Sequence, residues 1–433
     1  MRRIRTGNII IIATLILTFL LWFLSKPGLD EIVKYPLISI NQITALLGTL
    51  LLSWSLLLIT RLDFLEKMFD GLNNVYIVHK NTSIWGMALI VVHVGALALG
   101  RLPNVSQALN FFLPFHKQPF VNLGVWSFWL FILFIAIVFL RKQLKLPYHV
   151  WKIIHKFAGV ALVLAFIHII LIPRQGPASL INLWLVSTTG IGIASWIYYE
   201  LFYKILAPSY KYQISEITKL DDVFKIKLIP KAVKMQYKPG QFVYLSFTDS
   251  AVEKEMHPFT ITSHPTEKEL SFAIKVLGDY TATLDKLKVG DVAQIWGPHG
   301  SFADKFLKTN KDAIFIGGGI GIAPFLGMIK EAKKQTANKR RIGLFYCTKY
   351  KCNACFDAEL TDGYNNNTNH FYLNKCSRTD GHLSTSEILE KIKDIQNTLV
   401  FICGPKRMVS PLVNDLISQN IPAHNIISEN FDF

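Results

Sequence analysis

The chain has 433 residues, 51% of them hydrophobic, and a mean hydropathy of +0.32, more apolar material than a purely water-soluble protein carries. Its formal charge is +16, but the basic residues flank apolar runs, and no zinc-finger spacing or helix-turn-helix signal supports nucleic-acid binding. All five cysteines (Cys347, Cys352, Cys355, Cys376 and Cys403) fall in the last quarter, which argues against a disulfide scaffold and for a reducing face.

Met1, Arg2, Arg3 and Arg5 open the chain, and an apolar run follows over residues 8–24. No small-x-small cleavage site follows it, so the run reads as an uncleaved first span. Further runs cover 37–60, 74–99, 120–140, 149–172 and 181–203, each long enough to cross a bilayer. Arg61 and Lys67 lie between spans two and three, with Lys80 in the first turns of span three; Arg141, Lys142 and Lys145 lie between four and five, with Lys152 at the start of span five. Elsewhere Lys26 and Lys34 are offset by Asp30 and Glu31, and Arg101, Lys117 and Arg174 are sparse. The positive-inside bias places the amino terminus, both basic loops and everything from residue 205 onward in the cytoplasm of a cell-membrane protein.

Spans three and five run in the same direction and carry matched histidines. His79 and His93 are fourteen residues apart, His155 and His168 thirteen. At about 1.5 Å per residue, each pair spans roughly 20 Å of a roughly 30 Å hydrocarbon layer. Imidazoles at that depth are costly unless they line a cavity, find partners or hold something. A single such histidine is as readily a polar group bonded to a neighbouring helix; two matched pairs are not. Two helices with an inner pair (His79, His155) and an outer pair (His93, His168) can clamp two stacked planar groups. Haem, whose iron takes histidine nitrogen from either face, is the predicted group. Fourteen residues miss a shared helix face by about 40° and thirteen by about 140°. The fifth span is therefore expected to be distorted, with Gly159 marking the irregularity. His149, at a helix entrance, and His116, in a Pro-flanked loop, are expected at the interface.

After Ala207-Pro208 the texture changes. Residues 210–296 show short alternating segments (224–229, 242–247, 270–276) broken by Pro and Gly, the pattern of a small antiparallel β-barrel or sandwich. Residues 312–433 alternate apolar runs (313–316, 342–346, 398–402) with helical segments (323–333, 386–392, 409–418), predicting a parallel α/β nucleotide-binding domain. Asn365, Asn366 and Asn367 read as a loop. The expected domains are 1–205, 206–308 and 309–433.

Ile314-Phe315-Ile316 leads into Gly317-Gly318-Gly319-Ile320-Gly321 and then Ala323-Pro324: strand, glycine turn and helix start in the order a pyrophosphate site requires. Cys403-Gly404-Pro405 follows another apolar strand, where ligands of open α/β sheets bind. Upstream, His257-Pro258-Phe259-Thr260 offers a fixed backbone, an aromatic and a hydroxyl to a flat ring. Lys275, Gly278 and Thr281 can meet a diphosphate. The Lys238-Pro239-Gly240-Gln241-Phe242 turn enters a strand. Each taken alone is more often plain β-structure or an ordinary turn. Cys352-Asn353-Ala354-Cys355 is a lone C-x-x-C and reads as surface cysteines.

Together HPFTITS, KPGQF, GGGIGIAPF, FICGP and the closing ENFDF resemble the ferredoxin–NADP reductase type of flavoprotein. Placed behind six spans with paired histidines, nearly all of residues 8–433 resembles the NADPH oxidase and ferric reductase family, in a compact prokaryotic form. The resemblance implies FAD at His257, Pro258, Phe259 and Thr260, with Lys275, Gly278 and Thr281 near its diphosphate. It implies nicotinamide dinucleotide at Gly317, Gly318, Gly319, Ile320, Gly321, Cys403, Gly404 and Pro405. Ser377 and Arg378, with Lys375 nearby, suit the 2′-phosphate of NADPH, with NADH as the other donor. Phe431, or alternatively Phe433, matches the aromatic that family members place over the flavin; Phe431, Thr260 and Cys403 are the residues the resemblance assigns to catalysis. The implied activity carries electrons from NADPH through FAD and two b-type haems to an acceptor across the bilayer. That acceptor is dioxygen, giving superoxide, or else a ferric chelate or a protein partner; no obligatory protein partner is evident. Two positions depart from the animal oxidases: the fourth residue after His93 is Leu97, not His, and the second span holds no internal Arg.

Overall fold

Long apolar runs satisfy their backbone polar groups within a bilayer by closing into helices, and the computed structural model of this chain takes that solution. It describes residues 5–141, 143–172, 180–248, 250–334, 340–364 and 370–430. Among these, six helices are long and apolar enough to cross a membrane: Thr6–Leu24, Pro36–Leu58, Leu72–Leu99, Pro119–Leu140, Val150–Leu171 and Leu180–Leu206. All six lie on predicted runs, so the chain is a multi-pass membrane protein. Two compact units are present, one of Ile4–Ala207 and one containing Pro208–Phe433.

In the first unit, the second and third spans run antiparallel at backbone distance. A Cβ on Gly48 would lie 3.0 Å from the Gly86 carbonyl oxygen, and one on Gly86 would lie 3.1 Å from that of Gly48. Without a hydrophobic driving force inside lipid, small residues at the crossing let dispersion contacts hold two helices together. Gly86 lies seven residues from both His79 and His93, and Gly48 seven from both Asn41 and Ser55. One crossing thus sets both histidines against the neighbouring span.

The distortion expected in the fifth span exists, but not at Gly159. Helices Tyr148–Lys156 and Ala158–Leu171 abut at Phe157. There Phe157 N–H donates to the Ile154 carbonyl, and Val160 N–H to that of Phe157, each three residues back. Such overwinding advances the azimuth by about 20° per residue, the direction that closes the gap between His155 and His168. The Lys156 carbonyl accepts instead from Trp196 Nε1 at 2.9 Å. Gly159 makes room for that indole, since a Cβ there would fall 2.2 Å from Trp196 Cε2.

The second unit opens with an antiparallel sheet of β1 (Ser209–Leu220), β2 (Val223–Pro230), β3 (Phe242–Phe247), β4 (His257–Thr260), β5 (Leu270–Lys275) and β6 (Val292–His299). Its order is β4-β3-β6-β1-β2-β5, and an Ile261–Phe272 bridge joins the two edges, closing the sheet toward a barrel. Inward residues such as Tyr212, Ile226, Leu245, Phe272 and Ile295 fill it. A parallel sheet follows: β7 (Asp312–Gly318), β8 (Ile342–Thr348), β9 (His370–Cys376), β10 (Thr398–Gly404) and β11 (Ile426–Asn430). The order β11-β10-β7-β8-β9 puts a topological switch point between β7 and β10. Strand β9 and the helix Asp357–Tyr364 were not anticipated from sequence. Lys142, Arg174, the Asn365 loop, Phe431, Phe433 and the side chain of His149 lie outside the described residues.

Candidate functional site

The inner histidines meet. The His79 and His155 ring centroids are 6.2 Å apart with the planes at 88°. That spacing suits one metal ion with an imidazole on each side, given metal–nitrogen bonds of about 2 Å. His93 and His168 are likewise within electrostatic range of each other. Three of the four rings are braced through Nδ1. His79 Nδ1 donates to the Ser55 carbonyl at 2.9 Å, His93 Nδ1 to that of Asn41 at 3.1 Å, and His168 Nδ1 to that of Phe120 at 2.7 Å. A proton held on Nδ1 leaves Nε2 as the lone-pair nitrogen, the arrangement of metal-binding histidines. Ser55 Oγ adds a contact to His79 Nδ1 at 2.9 Å and one to Ser83 Oγ at 2.6 Å. His155 differs. Its Nδ1 is buried without a hydrogen-bond partner, and its ring stacks on Trp151 at 5.3 Å and 12°. Gly124 gives His168 its place, because a Cβ there would stand 2.9 Å from Cε1 and Nδ1. The inner pair fits the two faces of one iron porphyrin. His116 sits in its loop, bonded through Nε2 to the Asn110 carbonyl at 2.8 Å.

In the second unit, His257, Pro258, Phe259 and Thr260 form β4, half-buried and paired with β3 in the register Tyr244–Pro258 and Phe242–Thr260. The His257 ring stacks on Tyr280 at 3.8 Å, and its Nε2 donates to Glu255 Oε2 at 2.6 Å. His257 is thus pinned as a wall. Burial pushes the Tyr280 phenol up, so its hydroxyl stays a donor; it and Trp296 Nε1 are buried without hydrogen-bond partners. Trp296 lies across from Tyr244, which lies across from Pro258. Thr281 Oγ1 accepts from the N–H groups of Leu277 at 2.9 Å and Gly278 at 3.1 Å, and Lys275 pairs with Asp222 at 3.1 Å.

At the switch point, β7 ends in Gly317 and Gly318, a single turn spans Gly319–Ile322, and the helix Ala323–Lys334 follows. Gly319 has φ +57°, and a Cβ on Gly321 would fall 2.2 Å from the Cys403 carbonyl oxygen. The glycine turn and the Cys403-Gly404-Pro405 segment therefore touch backbone to backbone at the carboxyl ends of adjacent strands, where open α/β sheets take ligands. Cys403 is fully buried, and burial pushes its thiol up. Ser377 and Arg378 follow β9 at the same end of the sheet. Ser377 N–H donates to the Thr348 carbonyl at 2.8 Å, and the Arg378 guanidinium lies 5.8 Å from the Tyr350 ring centroid. Lys375 is engaged by Glu387 at 2.5 Å, and holds that carboxyl down at about 2. Cys352 is exposed and Cys355 half-buried.

Three family models match the chain in order: a ferric reductase like transmembrane component over residues 44–166, a FAD-binding domain over 209–321 and an oxidoreductase NAD-binding domain over 315–413. The chain thus joins a ferric reductase like transmembrane segment to FAD-binding and NAD-binding reductase domains, the make-up of an oxidoreductase. A superoxide-generating NADPH oxidase heavy chain of Dictyostelium discoideum is 35% identical over 130 residues, 26% of this chain and 25% of that protein. The chain therefore spans about a quarter of that relative's length. The gamma subunit of sulfhydrogenase 2 of Pyrococcus furiosus is 24% identical over 228 residues, 48% of this chain and 77% of that one. A solved ferredoxin NADP+ reductase from Neisseria gonorrhoeae is similar with 18% identity and a TM-score of 0.45, covering 52% of this chain and 99% of that chain.

Sequence reasoning missed the braces Ser55, Asn41 and Phe120, the spacer Gly124, and the ring partners Trp151, Trp196 and Tyr280. The equal seven-residue offsets of Gly48 and Gly86 were the legible signal for the first two.

Proposed function

We propose that this chain acts as NADPH oxidases and ferric reductases do, moving electrons from cytosolic NADPH across the cell membrane to an acceptor on the outer face, most simply dioxygen, releasing superoxide. What supports the reading above all is the inner histidine pair, with ring centroids 6.2 Å apart. His79 and His155 would hold the inner haem, and His93 and His168 the outer. Bound there, haem iron supplies one-electron chemistry, and FAD the conversion between hydride and single electrons. The chain's own residues bind and orient. Gly317, Gly318, Gly319 and Gly321 offer N–H groups to a pyrophosphate; Ser377 and Arg378 take the 2′-phosphate, with NADH the alternative donor. His257 and Phe259 wall the flavin, while Lys275, Gly278 and Thr281 face its diphosphate. Thr260 and Cys403 stand at the reacting rings, and Phe431, with Phe433 the alternative, covers the flavin. The domains proposed are 1–205, 206–308 and 309–433, the amino terminus and both nucleotide domains being cytoplasmic. Leu97, standing where animal oxidases have a second histidine, favours ferric chelate as the second reading.

The test is an optical spectrum of purified protein, oxidised, then reduced with dithionite and with NADPH. Low-spin bis-histidine haem with about two irons per chain is expected. His93→Leu should lose one and keep flavin reduction by NADPH; a haem-free wild type would sink the proposal. Cytochrome c reduction abolished by superoxide dismutase marks dioxygen as acceptor; anaerobic iron reduction at an undiminished rate marks ferric chelate.

A further inference from the structure

His264 follows the strand proposed to hold the flavin by only four residues and is 3% exposed. Thr266 N–H donates to its Nδ1 at 3.2 Å, which leaves the ring proton on Nε2. That Nε2–H donates to Glu331 Oε2 at 2.6 Å, and Lys334 Nζ reaches Nδ1 at 3.1 Å. Glu331 and Lys334 belong to the helix Ala323–Lys334, which grows directly out of the glycine turn. Further contacts line the same helix face. A Cβ on Gly327 would stand 3.2 Å from the Ser263 carbonyl oxygen, and Lys330 pairs with Glu267 at 3.1 Å. Positions 327, 330, 331 and 334 form one stripe at helical spacing. Residues 263–267 thus grip the helix behind the nicotinamide loop, while residues 257–260, on the same strip of chain, face the flavin.

We propose that His264 is a positioning residue for hydride transfer: the Thr266–His264–Glu331 chain sets the register between the glycine turn and β4. This rests on the proposed function. The step it positions breaks the nicotinamide C4–H bond with its electron pair and delivers hydride to the flavin, oxidising the nicotinamide and reducing the flavin. Displacements of about 1 Å remote from the chemistry can slow such a step roughly a hundredfold.

The experiment is anaerobic stopped-flow flavin reduction in the full-length protein, with NADPH and with C4-deuterated NADPH. His264→Phe should lower the limiting rate by about tenfold or more while the Kd for NADPH changes by less than about twofold, with the isotope effect retained. His264→Gln, which keeps a donor toward Glu331, should restore most of the rate. Glu331→Gln provides an independent reading if His264→Phe fails to fold, and should also slow reduction. Unchanged rates per bound flavin in His264→Phe and Glu331→Gln, or a slow step without an isotope effect, would overturn the inference alone. A wild-type flavin reduced by neither NADPH nor NADH would overturn the proposed function, and this inference with it.

Discussion

A Cβ on Gly124 would stand 2.9 Å from two atoms of the His168 ring, closer than side chains tolerate, so the ring or its helix must move. Gly124→Val is expected to lower outer-haem occupancy, read as a fall from about two irons toward one per chain, with Gly124→Ala milder. The cysteines sort by the same local logic. Burial pushes the Cys347 thiol up to about 12 and Cys403 up as well, so both stay protonated, and unreactive, at pH 8. Maleimide at pH 8 should label exposed Cys352 first and reach Cys347 and Cys403 only after unfolding, countable by mass spectrometry.

At the scale of one element, the interruption of the fifth span carries its own repair. Overwinding at Phe157 redirects the Val160 N–H, and the Trp196 indole takes the Lys156 carbonyl. Trp196→Phe keeps the ring in the Gly159 notch but removes the donor, and should cost about 1 kcal/mol. A lowered thermal midpoint in detergent, with loss of haem from the His155 pair, is the expected result. Sequence geometry forced a distortion somewhere between His155 and His168 but could not place it, because the tryptophan that makes it tolerable sits a whole span away. The six spans were legible because run length alone decides them. Strand β9 was not: its core contacts come from β8 beside it, while its own half-buried residues alternate weakly.

Across the whole chain, residues 208–433 hold apolar cores of their own. Expressed without the spans, that segment is expected to fold, take up FAD, and be reduced by NADPH without any haem absorbance. A colourless product would count against a flavin site contained in this segment. The order of the parts was readable from their motifs. What joins neighbouring parts was not: His264 looks like any loop histidine until Glu331, 67 residues later, is brought to it.

The imidazole braces of the membrane unit end on peptide oxygens, at positions 41, 55 and 120. Every amino acid supplies that oxygen, so no missense change at those three positions deletes the acceptor. Descendant sequences are free to drift there while the grip on the rings is inherited unchanged. Losing it would take a bend in the helix carrying the oxygen, and a proline introduced a turn away would be more damaging than any replacement of Asn41 or Phe120 itself.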